Sequence, residues 1–239
     1  MTTVRSLLFN ILFGAWTAVM FVAGLPTLVL PRGATWAMGR LWVRGGVLLL
    51  RLTVGLDHRV LGGEQRIAGP AIYAVKHQSA WDTLIFPLLL DRPAYVLKQE
   101  LVRVPFFGWY MLRLGMIPVD RQGRGAALKQ MVRAARAVTT AGRPILIFPE
   151  GTRVPPGEQR PYQPGIAALY GDLDLPVVPV ALNSGLFWGR RSFHKRAGTI
   201  TLEFLPAIAP GLERRVFMAA LKERLETASS RLVQRADPA

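Results

Sequence analysis

The sequence contains no cysteine. Disulfides, thiolate nucleophiles and cysteine-based metal sites are thereby excluded, and a reducing cytoplasm is permitted. Also missing are a G-x-S-x-G elbow, an H-E-x-x-H pair and a complete P-loop, which removes three common routes to catalysis. No internal repeat suggests a solenoid. Acidic residues are scarce: 15 Asp plus Glu stand against 30 Lys plus Arg, a formal charge of +15. Such a surplus calls for an anionic partner, whether nucleic acid, an anionic bilayer or a phosphorylated substrate. A nucleic-acid reading has only charge and basic-aromatic interleaving behind it, since the chain carries no zinc-finger spacing, RNP-like run or heptad zipper.

Charge is absent altogether from Ser6 to Pro31. The apolar run before Pro26 is 20 residues long, about 30 Å as a helix and just enough to cross a hydrocarbon core. It predicts a membrane-embedded N-terminus and argues against nucleic acid as partner. A cleaved signal peptide fits less well, because the apolar stretch is too long and no small-x-small site precedes a polar start. Thr35 to Leu56 is apolar again, with Arg40, Arg44 and Arg51 on one narrow helical face. That pattern suits a helix lying in the membrane interface, or equally a core-packed helix with a basic outer face. Arg32, Arg40, Arg44 and Arg51 outweigh Arg5, so the positive-inside rule places the following domain on the cytoplasmic face of the inner membrane.

From about Asp57 short apolar runs alternate with helical patterns, which predicts an α/β domain with a mixed, largely parallel sheet flanked by helices. The division expected is an anchor over 1–56 and a catalytic domain over 57–239. Two apolar runs, Ala71 to Val75 and Ile145 to Phe148, read as buried strands that end abruptly in polar residues. The first delivers His77 and Asp82. On one continuous helix these would lie roughly 140° apart, so a shared site needs a break between them. Ser79 supplies one as an N-cap, putting Asp82 in the first helical turn, where its carboxylate can accept a ring N–H and leave the other ring nitrogen as a general base. The same S-x-x-D is also an ordinary capping box. The second strand ends in Phe148-Pro149-Glu150-Gly151-Thr152-Arg153, a carboxylate, a glycine, a hydroxyl and a guanidinium suited to a phosphate or polyol, or else a surface turn with a solvated arginine.

In their order and separation, HQSAWD and FPEGTR resemble two signature motifs of the glycerolipid acyltransferase family. Gly115 to Arg121 (GMIPVDR) and Val177 to Ala181 (VVPVA) are similar to two more, and Lys98 matches a lysine the family often carries. The resemblance covers roughly residues 70 to 205. One departure stands out: the family often has asparagine before the histidine, where this chain has Lys76. Close to His77, that charge would favour a neutral imidazole; strand alternation equally allows it to point away. The resemblance implies transfer of an acyl group from acyl-coenzyme A or acyl carrier protein to the sn-2 hydroxyl of lysophosphatidate, with another lysophospholipid or an acylated amino-acid lipid as the alternative acceptor. It implies His77 as base and Asp82 as its orienting partner, with Arg153, Arg121 and Lys98 on the acceptor phosphate. Glu150, Gly151 and Thr152 would shape the glycerol site. No metal and no resident cofactor is expected, and anionic membrane lipids are expected as partners.

Several stretches keep two readings. The aromatic run Val104 to Leu114 is either core or a wall for acyl chain and membrane. Gly125 to Ala141 reads as an amphipathic helix, and the proline-rich run Val154 to Gly165 as a loop or lid. Asn183 to Gly198 is the most basic loop, suited to an anionic membrane or an acidic carrier protein, or to nothing in particular. Thr199 to Leu205 alternates as a strand, and Leu212 to Val233 reads as a closing helix.

Overall fold

The apolar runs become one seven-stranded sheet. A computed structural model describes residues 1–120 and 123–236, so Arg121 lies outside the described residues. The strands are β1 (Leu56–Leu61), β2 (Ile72–Val75), β3 (Ala94–Lys98), β4 (Ile117–Val119), β5 (Ile145–Ile147), β6 (Val177–Leu182) and β7 (Gly198–Phe204). Their order is β1-β7-β6-β2-β5-β3-β4. Every pair is parallel except β6 with β7. Strands β2 and β6 are buried at every residue, β5 likewise, which is why they read as continuous apolar runs and not as alternation. The C-terminal ends of β2, β3, β5 and β6 share one edge, where open α/β sheets place their sites.

Helices cover both faces. One face carries α6 (Arg124–Thr140), α7 (Pro164–Leu173) and α8 (Arg214–Gln234) against Ile72, Ala74, Ile145, Ile147 and Val177. Nothing in the sequence reading marks α7, whose first residue is a proline, a favoured position for it. The other face carries α1 (Thr2–Ala23), α2 (Arg32–Leu49), α3 (Trp81–Leu84), α4 (Phe86–Leu89) and α5 (Phe107–Arg113). The chain after Ala80 does not form one continuous helix but two short ones, α3 and α4. Pro87 has no N–H to offer the carbonyl of Thr83, and the Tyr95 hydroxyl donates to that carbonyl instead, at 3.1 Å.

The N-terminal segment is part of this core. Phe9, Trp36, Leu50 and Val54 share one buried cluster with Tyr73, Val75, Val180 and Phe204. Residues 6, 9, 13, 16 and 20 form one stripe of α1 that faces the protein. A Cβ on Gly45 would stand 2.4 Å from the Trp16 ring and one on Gly46 2.7 Å from Phe13, so glycine lets α1 close on α2. At its start, Ser6 Oγ accepts the Lys195 N–H at 2.9 Å and Asn10 Oδ1 accepts from Lys195 Nζ at 2.5 Å. Near its end, the Tyr110 hydroxyl donates to the Phe21 carbonyl at 2.7 Å. From Leu7 on, the outer side of α1 is apolar and exposed, at Leu7, Leu8, Ile11, Leu12, Val19 and Val22, with Ile11 and Val22 60% and 62% exposed. Val29, Leu30, Leu41, Leu48, Trp109 and Leu112 extend that uncovered surface. Exposed apolar side chains of this size on one helix and its neighbours suit association with a membrane. The two readings of Val104 to Leu114 each describe one side of α5: Gly108, Tyr110 and Leu114 are buried, whereas Trp109 and Leu112 face out.

Candidate active site

Strand alternation decides what meets at the sheet edge. Past Val75 the chain keeps its parity for two residues, so His77 turns toward the α1 and α2 face and Lys76 toward α8. The turn that follows brings Asp82 back under the imidazole: Nδ1 of His77 lies 3.1 Å from Oδ2 of Asp82. That oxygen also accepts the N–H groups of Gln78 at 2.6 Å and Ser79 at 2.7 Å. Ser79 Oγ in turn accepts the Trp81 N–H at 3.1 Å; the helix N-cap is Ala80, one residue later than expected, and the Asp82 carboxylate that meets the histidine also holds the turn through the Ser79 N–H. Asp82 is fully buried and acts as acceptor throughout; Nδ1 of His77 is then the protonated ring nitrogen, and Nε2 is left as a base.

The FPEGTR turn pins this histidine. Glu150 Oε2 accepts the His77 N–H at 2.9 Å, and Val154 N–H donates to the His77 carbonyl at 2.8 Å. The Phe148 ring stacks on the imidazole with centroids 4.0 Å apart. Gly151 sits at φ +67°, a conformation costly for any residue with a Cβ, which explains glycine between Glu150 and Thr152. Glu150 is itself buried at 3% exposure, and it faces the backbone of His77 and the ammonium of Lys76, 2.6 Å away. Burial raises its pKa, an effect that Lys76 opposes.

Arg153 is half-buried. Burial lowers its pKa, Asp82 opposes that, and Arg190 adds to it. Its guanidinium makes no hydrogen bond or ion pair among the described residues and lines a cavity of about 570 Å³ shared with His77, Phe148, Gly151 and Lys98. The remaining walls are mostly apolar, with Trp42 from α2, Met111 from α5, Met131 from α6 and Leu97 from β3 among them. A volume of that size is typical of a pocket for an extended organic ligand. Lys98 stands at its rim, half exposed, 2.7 Å from Glu100. Thr152 is half-buried in the same turn. Among the described residues no three His, Asp or Glu side chains are grouped as metal ligands.

Ser184 was not anticipated. It follows the apolar run of β6 with one residue between, is fully buried, and donates from Oγ to Oδ1 of Asp82 at 2.5 Å. Its neighbour Gly185 donates its N–H to Gln78 Oε1 at 3.0 Å. The signal that singled out His77 and Glu150, a polar residue just past a buried strand, applies to Ser184 as well.

Residues 58–183 match the Acyltransferase family. The chain belongs to that family. It is 36% identical over 185 residues to a 1-acyl-sn-glycerol-3-phosphate acyltransferase of Pseudomonas aeruginosa, a match covering 77% of this chain and 72% of that protein. Proteins of the same name from Cocos nucifera and Saccharomyces cerevisiae are 29% and 31% identical, with the match covering 70% and 57% of this chain but only 56% and 46% of their own length. Among solved structures, the 1-acyl-sn-glycerophosphate (LPA) acyltransferase PlsC from Thermotoga maritima superposes with a TM-score of 0.81 over 99% of this acyltransferase and 100% of that chain, at 20% identity. The fold is thus shared from end to end, including α1 and α2.

Proposed function

We propose that this acyltransferase moves a fatty acyl group from an acyl thioester, acyl-coenzyme A or acyl carrier protein, to the sn-2 hydroxyl of lysophosphatidate, making phosphatidate. The observation that carries the reading is the half-buried Arg153 guanidinium, without a hydrogen bond or ion pair among the described residues, facing the same apolar cavity as His77. Such a fork of donors suits the acceptor's phosphate, and the mostly apolar walls suit an acyl chain. Arg121 and Lys98 complete the phosphate site in this reading, and Gly151 and Thr152 line the glycerol backbone; Glu150, expected in that glycerol site, is instead buried behind it with its oxygens on the His77 N–H and the Lys76 ammonium.

Nε2 of His77 takes the proton of the acceptor hydroxyl as its oxygen attacks the thioester carbonyl. Asp82 keeps the ring oriented and stabilises the imidazolium so formed. The tetrahedral adduct collapses with cleavage of the C–S bond, and the imidazolium returns its proton to the departing sulfur. The products are an ester and a thiol. Thioester is the co-substrate, and the chain supplies the base, the orientation and the phosphate clamp.

Residues 1–56 act as the membrane anchor and 57–239 as the catalytic domain, on the cytoplasmic face of the inner membrane. Because α1 touches the domain near both of its ends, at Lys195 and at Tyr110, the anchor lies along one leaflet with its uncovered apolar side in lipid. The cavity is walled by α2 and α5 on that same side, so lysolipid enters and product leaves through the bilayer.

The test is release of free thiol by the purified protein in detergent, with lysophosphatidate and each donor in turn. Acceptor-dependent phosphatidate that vanishes in His77→Ala supports the reading. Transfer that persists in a folded His77→Ala protein, or none with either donor, overturns it.

A further inference from the structure

Lys76 points away from the chemistry, into a buried ionic cluster. Its ammonium, 2% exposed, lies 2.6 Å from Glu150 Oε1 and 2.8 Å from both carboxylate oxygens of Glu226 on α8. Glu226 Oε1 also accepts the Tyr162 hydroxyl at 2.8 Å, from the segment that leads into α7. The second oxygen of Glu150 holds the His77 N–H. A continuous chain of polar contacts therefore runs from α8 through Glu226, Lys76 and Glu150 to the peptide of the histidine.

Such a cluster is a poor stability device. Three buried charges replaced by well-packed apolar side chains are often as stable or more so. What the ions provide here is a direction: an ionised Glu150, held by a cation on one oxygen, presents the other to a single N–H. We propose that Lys76 and Glu226 are positioning residues for acyl transfer, fixing Glu150 so that the His77 imidazole is held in line with Asp82 and Phe148. This rests on His77 being the base.

The groups that face Glu150 are Lys76 from the end of β2, Glu226 from α8, the Tyr162 hydroxyl and the His77 N–H. Burial and Glu226 favour its protonated form, and Lys76 favours the anion. Removing Lys76 must therefore move Glu150 toward protonation at neutral pH, and neutralising Glu226 must move it the other way.

The experiment uses the full chain in detergent, measuring kcat, both KM values and thermal unfolding across pH for wild type, Lys76→Met and the isosteric Glu226→Gln. In Lys76→Met, kcat at neutral pH is expected to fall roughly tenfold to a hundredfold, the scale of a small misplacement of a catalytic group, with both KM values little changed. Its acid limb moves to higher pH by about one unit or more, so activity recovers as pH rises. Its stability, by contrast, falls as pH rises, because the folded chain is then the better proton binder. In Glu226→Gln the acid limb moves to lower pH. A structural role alone would move stability and activity together and leave both limbs where wild type has them, and that result overturns the proposal. If Lys76→Met does not fold, the direction of the limb in Glu226→Gln decides. Absence of transfer by wild type removes the function reading itself, whereas wild-type transfer with unmoved limbs removes only this inference.

Discussion

Asp82→Asn separates geometry from charge at this site. The asparagine has one orientation available: its carbonyl oxygen must take the place of Oδ2, where the N–H groups of Gln78 and Ser79 and the Nδ1–H of His77 converge. Its amide nitrogen then stands where Oδ1 was and donates to Ser184 Oγ, whose hydroxyl turns to accept. The reverse orientation would aim NH₂ at two backbone donors. All four hydrogen bonds survive, the imidazole keeps its tautomer, and stability is expected to change by less than about 1 kcal/mol. Only the negative charge opposite the forming imidazolium is lost. For unit charges roughly 4 Å apart at an effective dielectric of about 20, that attraction is about 4 kcal/mol, or about a thousandfold in rate. Rearranged neighbouring dipoles recover part of it, so a fall in kcat of roughly a hundredfold to a thousandfold is expected, with acceptor KM nearly constant. Thioester consumption at saturating acceptor, alongside thermal unfolding, measures both. A folded Asp82→Asn enzyme within about fivefold of wild type would refute the idea that the carboxylate stabilises charge formed on His77.

Further expectations follow from other walls of the site. Arg153→Ala should raise the acceptor KM roughly tenfold to a hundredfold, the worth of a bidentate charged contact, and Arg153→Lys should fall between, since a point charge lacks the fork; equal KM values in a titration with lysophosphatidate would remove Arg153 from the phosphate site. Ala127 is buried against the cavity beside Met131, so Ala127→Phe should slow long-chain thioesters more than short ones when the two compete for the enzyme. Lys195 sits 4.9 Å from the centre of the Trp188 ring and holds Asn10. Lys195→Met should cost about 1–3 kcal/mol by leaving Asn10 unsatisfied, read as faster amide exchange over the first turns of α1. Burial also lowers the pKa of Lys195. Below the ordinary lysine value the unfolded chain is then the better proton binder, so this residue's part of the stability rises with pH in that alkaline window, and the variant should lose that slope.

The difference between what the sequence showed and what it hid follows from the range of the forces. Apolar patterning is local and periodic: a buried parallel strand reads as a short apolar run, so β2 and β5 could be found, and with them His77, Asp82 and the FPEGTR turn. The amphipathic stripe of α6 was visible for the same reason, at Met131, Ala135 and Val138. Buried charges pair by tertiary proximity instead. Glu226 lies 150 residues from Lys76, three positions from Glu223 and two from Arg224 in a helix where every charge looks solvated, and no local feature distinguishes the carboxylate that is 8% exposed from its neighbours. Lys195 misleads in the same way. It reads as one more cation in the most basic loop, yet Phe9, Trp188 and Phe193 enclose it, and the helix it fastens is the one whose apolar run suggested only a membrane. The departure at Lys76 shows the limit most sharply, because both readings of it depended on parity past the end of a strand. Once β2 is seen to keep its alternation through His77, the lysine and the histidine must face opposite ways, and a charge that looked like a tuner of the imidazole becomes a support for the peptide that carries it.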